Sequence, residues 1–165
     1  MFELKPLSRE ALPTALEKAT RYRLLNEPAE AESICLDVLR TDPDNQAALV
    51  ILLLALTDRF SKGYGVSETQ AQQLLPRLRS EYERVYYAGI ILERKAKAQL
   101  QHGGPGAGFN AYELIREAMT CFERAEKIRP AGNDDALLRW NTCARIITHN
   151  QLGPRPEETT QLPLE

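Results

Sequence analysis

Residues 118–130, AMTCFERAEKIRP, repeat a pattern first written at residues 31–43, AESICLDVLRTDP. In each, an alanine (Ala31, Ala118) is followed four residues on by Cys35 or Phe122 and three further on by Val38 or Ala125. Five residues later comes Pro43 or Pro130. Spacings of four and three place these positions on one face of a helix, and the proline closes it. A weaker copy, Ala71, Leu75 and Leu78, lies between them. The three alanines are 40 and 47 residues apart, a helix–turn–helix period of 34 with six residues inserted once and thirteen the second time. The loop-like stretches SKGYG (61–65) and HGGPGAG (102–108) fall in those two intervals. A chain written this way has to stack helical pairs, because one pair cannot cover its own apolar face.

The rest of the chain agrees. Nearly every segment spaces its apolar residues by three and four, and none alternates like a strand, so the predicted fold class is all-α with about seven helices. The first helix is expected to run to about Leu25, with Pro13 in its first turn, and the second from Pro28 to Arg40. TDPDN (41–45) offers caps for a third helix over about 45–60, which carries the apolar run AALVILLLAL. Ser67 with Gln70 reads as a capping box opening a fourth, which Pro76 should bend or shorten. A fifth is expected over 82–101, a sixth over 111–128 and a seventh over 134–148. Residues 1–150 thus read as one domain, and 151–165, with three prolines and little apolar mass, as a flexible tail.

These repeats resemble the tetratricopeptide repeat (TPR) family over roughly residues 12–148, as about three degenerate copies and a closing helix that holds Trp140. Ala19 and Tyr22 match the family's small and aromatic positions, Ala31 and Pro43 its later alanine and turn proline. Ala118, Phe122, Ala125 and Pro130 match the second-helix half closely, and Gly89 supplies the small residue of the fifth helix. The middle copy departs most, with Pro76 inside its second helix and Glu83 where the turn proline would stand. The resemblance implies a right-handed superhelical solenoid whose concave groove, lined by the first helix of each pair, binds a partner protein or peptide segment. The groove would draw on Leu16, Thr20 and Arg23, then Val50, Ile51, Leu54 and Asp58, then Tyr86, Tyr87, Ile90 and Arg94. Family members that clamp a terminal carboxylate use Lys, Asn and Arg at positions held here by Leu16, Thr20, Ile51 and Leu54, so that specialised role is not implied.

The residues offer no catalytic constellation, and the expectation is a protein that is not an enzyme, with no cofactor and no metal. HGGPGAGFN lacks the Gly-Lys-Ser/Thr ending of a phosphate loop and follows a helix. His102 and His149 stand apart, with no acid or cysteine at ligand or relay spacing. Cys35, Cys121 and Cys143 cannot all pair, and each sits in an apolar helical pattern, so they read as buried hydrophobes in a reducing cytoplasm. The opening MFELKPLSRE is not a secretory signal, and the apolar run of residues 47–56 is about half of a membrane span. A net charge of −2 gives no general attraction to nucleic acid or membrane. Residues 46–100 nevertheless hold eight bases against five acids, with Tyr82, Tyr86 and Tyr87 interleaved. Two rival expectations therefore stand beside partner binding: self-association as a homo-oligomer, and RNA or polyanion binding by the basic middle.

Overall fold

The computed structural model describes residues 1–63 and 65–157. Among these residues the chain is all-helical, with no strand. Its helices are α1 (Leu12–Leu24), α2 (Pro28–Thr41), α3 (Gln46–Asp58), α4 (Gly65–Leu74), α5 (Glu81–His102), α6 (Ala107–Lys127) and α7 (Asp135–His149). Short 3-10 turns at Arg9–Ala11, Phe60–Lys62 and Leu75–Arg77 link or extend them.

Local chemistry sets most boundaries. Pro28 opens α2 and Pro13 sits in the first turn of α1, where no backbone N–H is needed. The Asn45 side chain accepts a 2.9 Å bond from the Ala48 N–H to cap α3. Ser80 does the same for Glu83 at the start of α5, at 3.2 Å. The predicted capping box at Ser67 and Gln70 is not formed. Helix α4 begins at Gly65, so Ser67 lies inside its first turn, and the Thr69 hydroxyl donates back to the Gly65 carbonyl at 3.1 Å. Pro76 does shorten α4, which stops at Leu74 before the 3-10 turn that holds the proline. Helix α6 begins a turn earlier than the spacing predicts. Gly106, at φ 75°, makes the sharp entry, and Ala107 is buried on the extra turn. Tyr64 and residues 158–165, the latter part of the predicted tail, lie outside the described residues. Of that tail's earlier part, Leu152 packs against the core around α6 and α7, and Arg155 lies 5.4 Å over the Phe109 ring and bonds Asn110 at 2.9 Å.

Each helix packs on its neighbour in sequence, and α1 also meets α3 while α3 meets α5. The buried side chains fall into two cores. The first is built from α1 to α4, with Leu49, Leu53 and Phe60 at its centre, and takes Ile91 and Ala98 from α5. The second joins α5, α6 and α7 and takes Tyr82, Ile90 and Ala96 from α5. Helix α5 is therefore a wall common to both. Helix α3 lies nearly sunk, buried on most sides, as its unbroken apolar run requires. The repeated sequence positions occupy these cores: Ala31, Ala71 and Ala118 are fully buried, as are Cys35, Val38, Phe122 and Ala125. Leu75 is only half-buried, because it falls in the 3-10 turn.

The tightest approach is between α5 and α6. A Cβ placed on Gly89 would stand 2.7 Å from Cε1 of Phe122, whose ring is wholly buried. Gly89→Ala should therefore lower stability by about 1–2 kcal/mol, an overpacking cost that outweighs the roughly 1 kcal/mol gain in helix propensity. Urea unfolding checks this, and Phe122→Leu should cost less in the Gly89→Ala background than alone. A stabilised Gly89→Ala protein would show that the helices can part.

Candidate functional site

Arg23 closes the last turn of α1, Asp58 ends α3, and Arg94 lies midway along α5. They meet in one cluster. Arg23 grips the Asp58 carboxylate as a fork, Nε to Oδ2 at 2.7 Å and Nη2 to Oδ1 at 3.2 Å. Arg94 Nη1 adds a third bond to Oδ1 at 3.0 Å, while its Nε is buried without a hydrogen-bond partner. Beside them opens a cleft of about 340 Å³, lined further by Thr57, Lys97 and Gln101 and floored by Phe60.

Among the predicted groove residues, these three are joined by hydrogen bonds between their side chains. Thr20 is exposed on the helical stripe that runs from Leu16 to Arg23. Leu16, Val50 and Ile51 are half-buried against the first core, and Leu54 against the second. Ile90 is only 4% exposed inside the second core, so it faces the interior and lines no open surface. The tyrosines pack mainly on each other: Tyr82 stacks on Tyr86 at 5.7 Å, Tyr87 meets Tyr86 edge-on at 5.0 Å, and Tyr86 leans on Phe122. Burial raises the hydroxyl pKa of all three, that of Tyr87 to about 12.

The basic middle of the chain is largely paired within the fold. Arg84 donates to the Leu78 and Arg79 carbonyls at 2.7 and 2.8 Å, and Arg77 to the Pro43 carbonyl at 2.9 Å. Lys95 pairs with Glu68 at 3.0 Å. One further pairing is not anticipated by the sequence pattern. Glu93 on α5 is completely buried, and its carboxylate receives Arg139 Nε at 3.1 Å and Nη2 at 2.5 Å, Lys97 Nζ at 3.3 Å, and the Cys143 thiol at 3.6 Å. The usable signal is its register: Gly89, Glu93 and Ala96 share one helical stripe, with an acid where the pattern calls for an apolar residue. Arg139 and Cys143, four apart on α7, form the answering pair.

None of the three free thiols is activated. Burial pushes the Cys35 and Cys143 thiols up to about 12, the Glu93 carboxylate adding to the latter, and burial also raises Cys121. Among the described residues no three His, Cys, Asp or Glu side chains gather to hold a metal, and no helix is long and apolar enough to cross a membrane. What the site offers is hydrogen-bond donors from guanidinium and ammonium groups at the edge of an apolar surface. Compared with family models, curated proteins and solved structures, the chain finds no match.

Removing the Glu93 charge leaves Arg139 and Lys97 without the counter-ion they share. Both cations are partly exposed, so the effect falls below that of a fully buried pair. Glu93→Gln should lose about 2 kcal/mol in urea unfolding, and Glu93→Leu with Arg139→Met should recover much of it. A loss below about 0.5 kcal/mol would mean the cluster contributes little to holding α7 on α5.

Proposed function

We propose that this chain is a tetratricopeptide-type interaction module that holds a segment of a partner protein along the surface shared by α1, α3 and α5. The observation that carries the reading is the meeting of Arg23, Asp58 and Arg94, one from each of the three first helices of the proposed pairs. That meeting requires the three helices to share one side of the molecule, as a solenoid groove does. The buried Ala31, Ala71 and Ala118 on α2, α4 and α6 support the same pairing, since each small side chain lets a neighbouring helix approach. Around the charged cluster, Leu16, Ile51 and Leu54 keep part of their surface open, the mixture of apolar area and fixed polar groups that a bound segment needs.

Self-association keeps a specific observation in its favour. Leu24 and Leu25, at the end of α1, are 81% and 64% exposed, and Tyr22 beside them is also open. No comparable support favours a polyanion, because most of the bases are already paired and the tyrosines pack on each other, Tyr82 buried and Tyr86 and Tyr87 half-buried.

Capture from a native lysate separates the two readings when the exposed groove position is blocked. Thr20→Arg adds bulk to the shared surface without touching either core. The partner should be captured by the wild-type chain and lose at least tenfold in affinity, about 1.4 kcal/mol, with Thr20→Arg. A chain that captures nothing and sediments as a dimer dissociated by Leu25→Glu would contradict the adaptor reading and favour self-association.

A further inference from the structure

Residues 1–6 form an extended segment in which every side chain is exposed, Phe2 at 101% and Leu4 at 66%. One exposed leucine is ordinary, but a phenylalanine wholly in solvent beside it makes an apolar arm. The arm is rooted at Leu7, which is half-buried on the α1 side of α2 and whose carbonyl accepts from the Thr41 hydroxyl at 3.3 Å. It therefore leaves the fold at the end of α2. Pro6 holds the residue before it extended, so little freedom remains to lose on docking. An extended chain alternates, so Phe2 and Leu4 point one way, about 7 Å apart, and Glu3 and Lys5 the other. A groove on the α4 side of α2 matches this pattern. Helices α2 and α4 both pack on α3 and leave about 390 Å³ between them. The floor is leucine, with Leu52 and Leu56 one turn apart, about 6 Å along it, and Leu36, 48% exposed, on the α2 bank. The exposed amides of Gln70 and Gln73 on the α4 bank can pair with the backbone of an extended chain. Arg77 reaches the Pro43 carbonyl just past α2, so it stands with Arg40 at one end of the groove. Glu32, paired with Arg59, stands at the other.

We propose that the chain self-associates by arm exchange: residues 1–6 of one copy lie in the α2–α4 groove of a second copy, with Phe2 and Leu4 on its leucine floor. The charges select a second copy over the arm's own groove. Arriving from its root beside Thr41, an arm in its own groove would bring Lys5 to the Arg40 end and carry Glu3 toward Glu32, like against like. Entering the second copy's groove from the other end sets Lys5 by Glu32 and Glu3 by Arg40 and Arg77. That order requires the two α2 helices to lie antiparallel across a two-fold axis, the root of each arm beside the Glu32 end of the other's groove, and such an exchange closes. Six extended residues span about 20 Å, as does α2, so each arm can run the length of the groove. The groove lies on the side of α3 turned away from Leu54 and Asp58. Exchange thus leaves the surface of α1, α3 and α5 open and does not rest on the reading given to it. It is also separate from any contact through Leu24 and Leu25.

Sedimentation velocity of the full chain, carrying no tag before Met1, tests this. The wild type should be dimeric at about 100 μM. An arm variant, Phe2→Ser with Leu4→Ser, and a groove variant, Leu36→Arg, should each weaken the dimer at least tenfold. Neither should move the urea midpoint, since all three side chains are exposed. Mixing the two variants, one labelled with a fluorophore, supplies an intact groove from one and an intact arm from the other. The pair should associate more tightly than either variant does with itself, a rescue that loss of structure cannot imitate. Leu25→Glu should leave the wild-type dimer unchanged. A wild type that stays monomeric, a dimer indifferent to the arm variant or dissociated by Leu25→Glu, or a mixture without rescue would overturn arm exchange.

Discussion

Helix α5 is packed on two sides, and the rest of the molecule depends on that. Ile91 and Ala98 face the core of α1 to α4, while Ile90, Ala96 and Tyr82 face the core of α6 and α7. A helix can serve two cores only if its neighbours come close on both, and Gly89 permits this by giving its space to the Phe122 ring. The same double burial explains how a glutamate came to be fully enclosed. Glu93 faces α7, where Arg139 and Cys143 answer it, so an acid at an apolar register becomes the point that fixes the last helix. Breaking such a cluster on one side is costly, whereas exchanging it for apolar side chains need not be.

The open surface follows from the packing. Because α3 is nearly sunk, only its end and one edge reach solvent, and Asp58 stands at that end between α1 and α5. Two arginines close on one carboxylate there, tying helices of the first core to the shared wall. Lys95 with Glu68 makes a second tie between α5 and α4. Charges that look in the sequence like a patch for an outside partner mostly hold helices together. What remains over is the set of unused donors on Arg94 and Lys97 along a cleft, a smaller and more selective feature than a basic face.

Much of this architecture is legible in the amino-acid sequence. Spacings of three and four place seven helices correctly, since an amphipathic helix must repeat its apolar stripe and prolines must interrupt it. Boundaries are less visible where glycine decides them. Gly106, at φ 75°, lets α6 start early, although Ala111 looks like the natural beginning, because backbone freedom at glycine leaves no mark in an apolar pattern. Helical register places Arg23, Asp58 and Arg94 only as three members of one face, while their mutual pairing depends on how α1, α3 and α5 cross in space. Ile90 looks like a groove residue by register. A helix with two buried sides has little free face left, and the periodicity of a single helix does not reveal its second partner.

Native-state hydrogen exchange followed residue by residue tests the central claim most directly. If α5 is the wall of both cores, amides from Gly89 to Ala98 should exchange only through global unfolding, with the full free energy seen in denaturant. Those of α1, α2 and α7 should open at lower cost, since each borders one core alone. Amides in the middle of α5 that exchange as readily as those of α1 or α7 would contradict the account and show two halves that unfold independently.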